Sequence, residues 1–162
     1  MTEIIKATEN EIPIIEDILI DVVHWLDSTN QSLWNEEQVK WTRLSNDFKI
    51  SDFFIAKFDG DLVACMAITD YDPFFWSNIE KGESLFIHKL AVKRCAAGKG
   101  LSDLLINYAK SICKDRGIAK IRLDCSQDRP KLRAVYERHG FYCVDERVVF
   151  EKYPTAFYEC DV

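Results

Sequence analysis

This chain has few histidines, no paired-cysteine motif, no basic block and no long apolar run, and each lack removes a class of function. The three histidines, His24, His88 and His139, are too widely separated for metal-ligand spacing, so no zinc site is expected. The six cysteines, Cys65, Cys95, Cys113, Cys125, Cys143 and Cys160, include no C-x-x-C pair and are read as free thiols of a reducing compartment. A net charge of −6 without any offsetting basic stripe argues against nucleic acid as a partner and is compatible with a cationic small substrate. No stretch is apolar for long enough to cross a bilayer, and the N-terminal MTEIIKATENEIPII lacks a basic region followed by an apolar one. The expectation is a cytoplasmic protein with no membrane partner.

What is present is an ordinary globular composition, 48% hydrophobic and 30% charged over 162 residues, enough for one domain spanning 1–162 with a continuous core. There is no low-complexity segment, internal repeat or linker. Glu3–Lys6 reads as a short strand. A helix follows, with Ile14, Ile15, Ile18, Leu19, Val22, Val23 and Leu26 on one stripe. Its start has two candidate caps. Thr8 with Glu11 has capping-box spacing, whereas Asn10 would place Pro13 in the first turn, where its missing N–H costs nothing. A second, shorter helix is expected over Glu36–Leu44.

The period then changes to two. Phe53–Phe58, a turn at Asp59-Gly60-Asp61 and Leu62–Thr69 read as an antiparallel hairpin. Residues 71–76 form an aromatic loop, Ser84–Val92 a strand, and Leu101–Arg116 a helix ended by Gly117. Ile121, Leu123 and Cys125 alternate as a strand. Lys131–His139 reads as a helix closed by Gly140, and Phe141–Phe150 and Thr155–Cys160 as final strands. The fold class is α+β, a mixed and mostly antiparallel central sheet layered with helices on both faces.

The segment Leu85–Ser102, LFIHKLAVKRCAAGKGLS, carries the chemistry. A strand runs into a small-residue turn, and a helix begins at the turn's last glycine. Unpaired amides at a helix N-terminus bind phosphate. A dinucleotide fingerprint fails because Asp103 stands where a third glycine belongs, and a nucleotide P-loop fails because no G-K-S/T follows. Cys95-Ala96-Ala97-Gly98-Lys99-Gly100 instead resembles the Q/R-x-x-G-x-G/A motif of the Gcn5-related N-acetyltransferase (GNAT) family, with both glycines in register and Cys95 in place of Gln or Arg. Tyr136-Glu137-Arg138-His139-Gly140-Phe141 resembles the family's last core helix and Gly-Phe turn, with Arg129 where Asn is usual.

The resemblance implies a GNAT fold and acetyl-CoA as cosubstrate. It implies that amides of Ala97, Gly98, Lys99, Gly100, Leu101 and Ser102 hold the pyrophosphate, with an ionic contact from Lys99. Backbone groups of Leu90, Ala91 and Val92 would pair with the pantetheine arm, and Arg129 would join the cofactor site. Tyr136 becomes the general acid that protonates the departing thiolate. For the general base there are two candidates. His88, sharing a strand face with Phe86, Leu90 and Val92, would titrate near neutral pH; Glu83, at the head of the same strand, could act directly or through water. The acceptor is a small-molecule or peptide amine, received between the first two helices and the 70–76 loop. There Trp25, Trp34, Trp41, Tyr71, Phe74, Phe75 and Trp76 lie near Asp27, Glu36, Glu37, Asp70 and Asp72 in sequence. The blander reading makes those tryptophans core and the acids solvated. Dimers are common in the family, and an inactive acyl-CoA-binding module of the same fold is the alternative function.

Overall fold

In the computed structural model, which describes residues 1–31 and 33–162, the Thr8–Glu11 capping box forms ahead of the first helix, whose N-cap is Glu11 and not Asn10. The Glu11 carboxylate accepts the Thr8 N–H at 2.9 Å and the Thr8 hydroxyl at 3.0 Å, closing a single 3-10 turn over Glu9–Glu11. Helix α1 (Ile12–Ser28) then starts with Pro13 in its first turn. Its apolar stripe buries Ile15, Ile18, Leu19, Val22, Val23 and Leu26, each contributing about 2 kcal/mol.

The expected helix over Glu36–Leu44 is broken. A 3-10 turn at Glu37–Val39 and a one-turn helix α2 (Trp41–Leu44) flank Lys40, which is extended at ψ 145°. The break has a cause in α1: the Trp41 N–H donates to the Glu16 carboxylate at 2.8 Å, replacing an acceptor within the helix.

Strands β1 (Thr2–Lys6), β2 (Phe53–Phe58) and β3 (Asp61–Thr69) follow expectation. Asp59 and Gly60 both take positive φ, 49° and 92°, between the paired Phe58 and Asp61. That is the two-residue turn whose twist matches a hairpin, and Asp-Gly is the sequence that tolerates it. The remaining elements are β4 (Leu85–Val92), α3 (Leu101–Arg116), β5 (Lys120–Ser126), α4 (Pro130–Arg138), β6 (Tyr142–Val149) and β7 (Tyr153–Asp161). The seven-stranded sheet has the order β1-β2-β3-β4-β5-β7-β6. Pairing is antiparallel for β1–β2, β2–β3, β5–β7 and β6–β7, and parallel for β4–β5 through Leu85↔Ile121 and Phe86↔Arg122. No helix among the described residues is long and apolar enough to cross a membrane.

Two compact units divide the chain: Met1–Ile68 with His88–Leu105, and Thr69–Ile87 with Ile106–Val162. In the first, the α1 stripe packs with Val39 and Leu44 on Phe53, Ile55, Cys65 and Ala67, the inward set of β2 and β3. In the second, the consecutive residues Phe157 and Tyr158 of β7 serve opposite faces. Phe157 joins Trp76, Phe86 and Val149 in one cluster, and the Tyr158 ring packs at a tilt on Tyr136 of α4, 6.2 Å between centres. Near the Trp76 ring, Arg122, 6% exposed, donates to Ser84 at 2.9 Å and Glu159 at 2.6 Å. Ser84, expected as the first residue of the strand, instead precedes β4 and serves that arginine.

Candidate active site

The glycine turn belongs to the first unit. β4 ends at Val92, and the Lys93 N–H donates to Val63 O at 2.8 Å. A 3-10 turn over Arg94–Ala96 and an extended Ala97 lead to Gly98 and Gly100, each at φ 76°. α3 begins one residue later than the turn's last glycine, and the Leu104 N–H donates to Gly100 O at 3.0 Å, which makes Gly100 the helix cap. The amides of Leu101 and Ser102 therefore have no acceptor within the helix. Two left-handed residues alternating with ordinary ones turn successive N–H groups into a common concavity that suits an anion.

A Cβ built on Gly98 or Gly100 would meet no protein atom within 4 Å. Glycine is thus demanded by the backbone conformation rather than by a neighbour, and the space beside the turn is open. Buried Leu101 ties the exit of the turn to the core, while Lys99 is exposed. These residues fit a diphosphate: amide donors, a helix N-terminus and one cation.

On β4 the expected alternation stops at Lys89, whose φ is 52°. A left-handed residue inside a strand is a bulge and turns the side chains that follow it. Leu85, Phe86 and Ile87 are all buried, and then His88, Lys89 and Leu90 are all half-buried. The period-two face of Phe86, His88, Leu90 and Val92 is corrected accordingly. The Lys89 ammonium lies 4.5 Å from the centre of the Trp34 ring, and the His88 ring meets Phe48 edge-on at 5.2 Å. Burial, with the neighbouring Lys89 charge, pushes the His88 pKa down to about 3. Titration near neutral pH, expected from the sequence, is therefore corrected: the ring is neutral throughout the physiological range.

The second unit holds Tyr136, Arg129 and Glu83. α4 starts at Pro130, and the carbonyl of Arg129 accepts the Arg133 N–H at 3.0 Å. Tyr136 is 5% exposed, its ring 5.9 Å from Phe141, and its carbonyl accepts the N–H groups of His139 and Phe141. Burial raises the Tyr136 pKa, and Arg129 works weakly against it, so the phenol stays protonated and a donor. Arg129, half-buried, has its own pKa lowered by burial. Glu83 is exposed and accepts the Glu80 N–H at 3.3 Å, closing a local turn. Sequence reasoning missed the network beside Tyr136, in which Arg133 donates to the Tyr158 hydroxyl at 2.8 Å and that hydroxyl donates to Glu137 at 2.8 Å. Its only signal was the helical i, i+4 spacing of Arg133 and Glu137.

The acids expected near the acceptor are mostly engaged locally. Glu36 pairs with His24, Glu37 with Lys40 and Asp70 with Lys81. Asp72 is 7% exposed and accepts the N–H groups of Phe74 and Phe75, shaping the aromatic loop. Trp76 is core, Trp34 and Trp41 pack against the α1 cluster, and Phe74 and Tyr71 remain 62% and 45% exposed. Trp25 packs against the same α1 cluster and also carries the Arg94 guanidinium over its ring.

Residues 19–141 match the family model described as Acetyltransferase (GNAT) family. An uncharacterized N-acetyltransferase of Bacillus subtilis, YesJ, is 26% identical over 133 residues, covering 78% of this chain and 74% of that protein. A mycothiol acetyltransferase of Corynebacterium glutamicum is 28% identical over 131 residues, covering 79% of this chain but 44% of its own length. Among solved structures, a GNAT-family acetyltransferase of Listeria monocytogenes superposes with TM-score 0.79 at 20% identity, covering 99% of this chain and 95% of its own. The PaiA N-acetyltransferase of Thermoplasma acidophilum, in complex with coenzyme A, superposes with TM-score 0.78 at 16% identity, covering 100% and 99%. At those identities the structural likeness bears on the fold.

Proposed function

The chain belongs to the acetyltransferase (GNAT) family, and from that premise we propose that it moves an acetyl group from acetyl-CoA to a primary amine of a small molecule or peptide by direct attack. Acetyl-CoA supplies the acetyl group activated as a thioester. The observation that carries the reading is the turn at Gly98 and Gly100, two left-handed glycines opening onto free space at the head of α3.

On this reading the amides of Ala97 to Ser102 bind the diphosphate and Lys99 adds a charge. Backbone groups of Leu90, Ala91 and Val92 orient the pantetheine arm and the acetyl carbonyl, and Arg129 contributes to the cofactor site. Tyr136 donates its phenolic proton towards the departing sulfur, a role that its raised pKa favours as a hydrogen-bond donor more than as a fully dissociating acid. The base is His88 or Glu83. With a pKa of about 3 the His88 imidazole is neutral at physiological pH and holds a proton only weakly. The amine therefore loses most of its proton to solvent, and the rate rises with pH towards the amine's own pKa. The relatives named for mycothiol favour a small-molecule acceptor over a peptide.

Calorimetric titration with acetyl-CoA tests the reading, with free CoA and NAD as controls and an amine panel followed by mass spectrometry. One-site micromolar binding and an acetylated product support it. Binding with no product on any amine selects the inactive acyl-CoA-binding alternative. Folded protein that ignores acetyl-CoA overturns the assignment of Gly98 and Gly100.

A further inference from the structure

We propose that one stripe of α1, made of Asp17, Asp21 and Trp25, is a latch that positions the entry of the glycine turn and so tunes cofactor affinity. The proposal rests on the reading that this turn holds acetyl-CoA. The three residues are spaced i, i+4 and i+8, so they share a face of the helix. All three reach the same two consecutive residues. The Asp17 carboxylate pairs with the Lys93 ammonium. The Asp21 carboxylate accepts the backbone N–H of Arg94 at 2.8 Å. The Arg94 guanidinium lies over the Trp25 ring, 3.9 Å from its centre.

The turn needs such an anchor. Gly98 and Gly100 have wide backbone freedom, and a Cβ built on either would meet no atom beyond its chain neighbours within 4 Å. A concavity of amides binds well only if it is held in shape before the ligand arrives. Buried Leu101 holds the exit of the turn. The latch holds its entry, and it does so against a fixed reference, because the other face of α1 is locked in the core through Ile15, Ile18, Leu19 and Val22.

The three contacts are unequal. Asp17 is 66% exposed, so its ion pair contributes little. The Asp21 bond grips the main chain itself and is charge-assisted. The cation over the indole spans the half-buried surface between helix and turn. The same contacts engage the side chains of Lys93 and Arg94 with α1, which leaves Lys99 as the turn's cation for the ligand. A neighbouring stripe on α1 does a different job: Glu16 and His24 hold Trp41 and Glu36.

The test is acetyl-CoA calorimetry on W25A, D21A, R94A and the double variant W25A/R94A, with steady-state kinetics and melting temperatures alongside. W25A and R94A should each weaken binding about fivefold to tenfold, raise the KM for acetyl-CoA and leave kcat unchanged. The double variant should be no weaker than either alone, because both remove one interaction. W25F and D21N should recover most of the affinity, and H24A should bind as the wild type does. R94A is a surface truncation that cannot empty the core, so it keeps the test valid if W25A unfolds. Wild-type affinity in both W25A and R94A overturns the latch. So does weakened binding in R94A with wild-type affinity in W25A, which would mean that Arg94 touches the ligand directly. A wild-type protein that binds no acetyl-CoA overturns the cofactor reading and the latch with it.

Discussion

The rings of Tyr136 and Tyr158 lie 6.2 Å apart, yet only Tyr158 has its hydroxyl held between Arg133 and Glu137. One phenol is thereby committed to structure, and the other is the candidate acid.

Tyr136→Phe should lower kcat by roughly tenfold to a hundredfold while the KM for acetyl-CoA stays within about twofold, since the ring keeps its packing on Phe141 and Tyr158. Tyr158→Phe should behave in the opposite way, losing about 1 kcal/mol of stability with kcat unchanged. Collapse of cofactor affinity in Tyr136→Phe, with turnover per bound complex intact, would remove Tyr136 from the chemistry. Steady-state kinetics and urea unfolding on both variants decide it.

Gly98→Ala and Gly100→Ala force an L side chain into φ 76°. Each should cost about 1–2 kcal/mol of stability and weaken acetyl-CoA binding at least tenfold, because the amides are re-aimed. Lys99→Ala, with the backbone untouched, should weaken binding only a few-fold and reduce its salt dependence. If the glycine variants and Lys99→Ala were equivalent by calorimetry, charge rather than amide geometry would be holding the ligand.

His88 makes stability depend on pH. Its folded pKa of about 3 lies below the ordinary 6.5, so between those values the unfolded chain takes up a proton that the folded chain refuses. Its penalty is absent above pH 6.5 and grows by about 1.4 kcal/mol per unit as pH falls towards 3. Removing the imidazole with His88→Leu should therefore gain about 2–3 kcal/mol relative to wild type at pH 4 compared with pH 7. Denaturant unfolding at the two pH values measures it, and an equal difference at both would mean that the ring titrates as an exposed histidine does.

Arg122 is a buried cation satisfied by Ser84 and Glu159 and stacked at 5.3 Å on Trp76. Arg122→Ala leaves Glu159 without its buried partner and should cost about 3–5 kcal/mol. Arg122→Met refills the space beside Trp76, and with Glu159→Gln added the loss should fall below about 2 kcal/mol. Thermal and urea unfolding of the single and paired variants test the non-additivity.

Part of the fold was legible because its causes are local. The stripe of α1 needs only helical spacing. The Asp59-Gly60 hairpin needs only residues that accept positive φ. The glycine turn was visible for the same reason, a backbone that only glycine adopts easily. The helix expected over Glu36–Leu44 failed because Glu16, distant in sequence, supplies the Trp41 N–H with a better acceptor. The β4 alternation failed because nothing in a lysine announces the left-handed conformation of Lys89. His88 was assigned an ordinary pKa because burial against Phe48 is invisible in one dimension. The meeting of Trp25 with Arg94 was invisible because the bond that brings the two segments together spans 73 positions.

By itself, then, the sequence determined most of the elements and the glycine turn at the head of α3, since spacing, glycine and helix ends act over a few residues. The tertiary structure decided which side chains are spent on holding that turn, which phenol is committed to structure and which imidazole stays neutral. Those outcomes depend on desolvation and on partners that meet only when distant segments pack together.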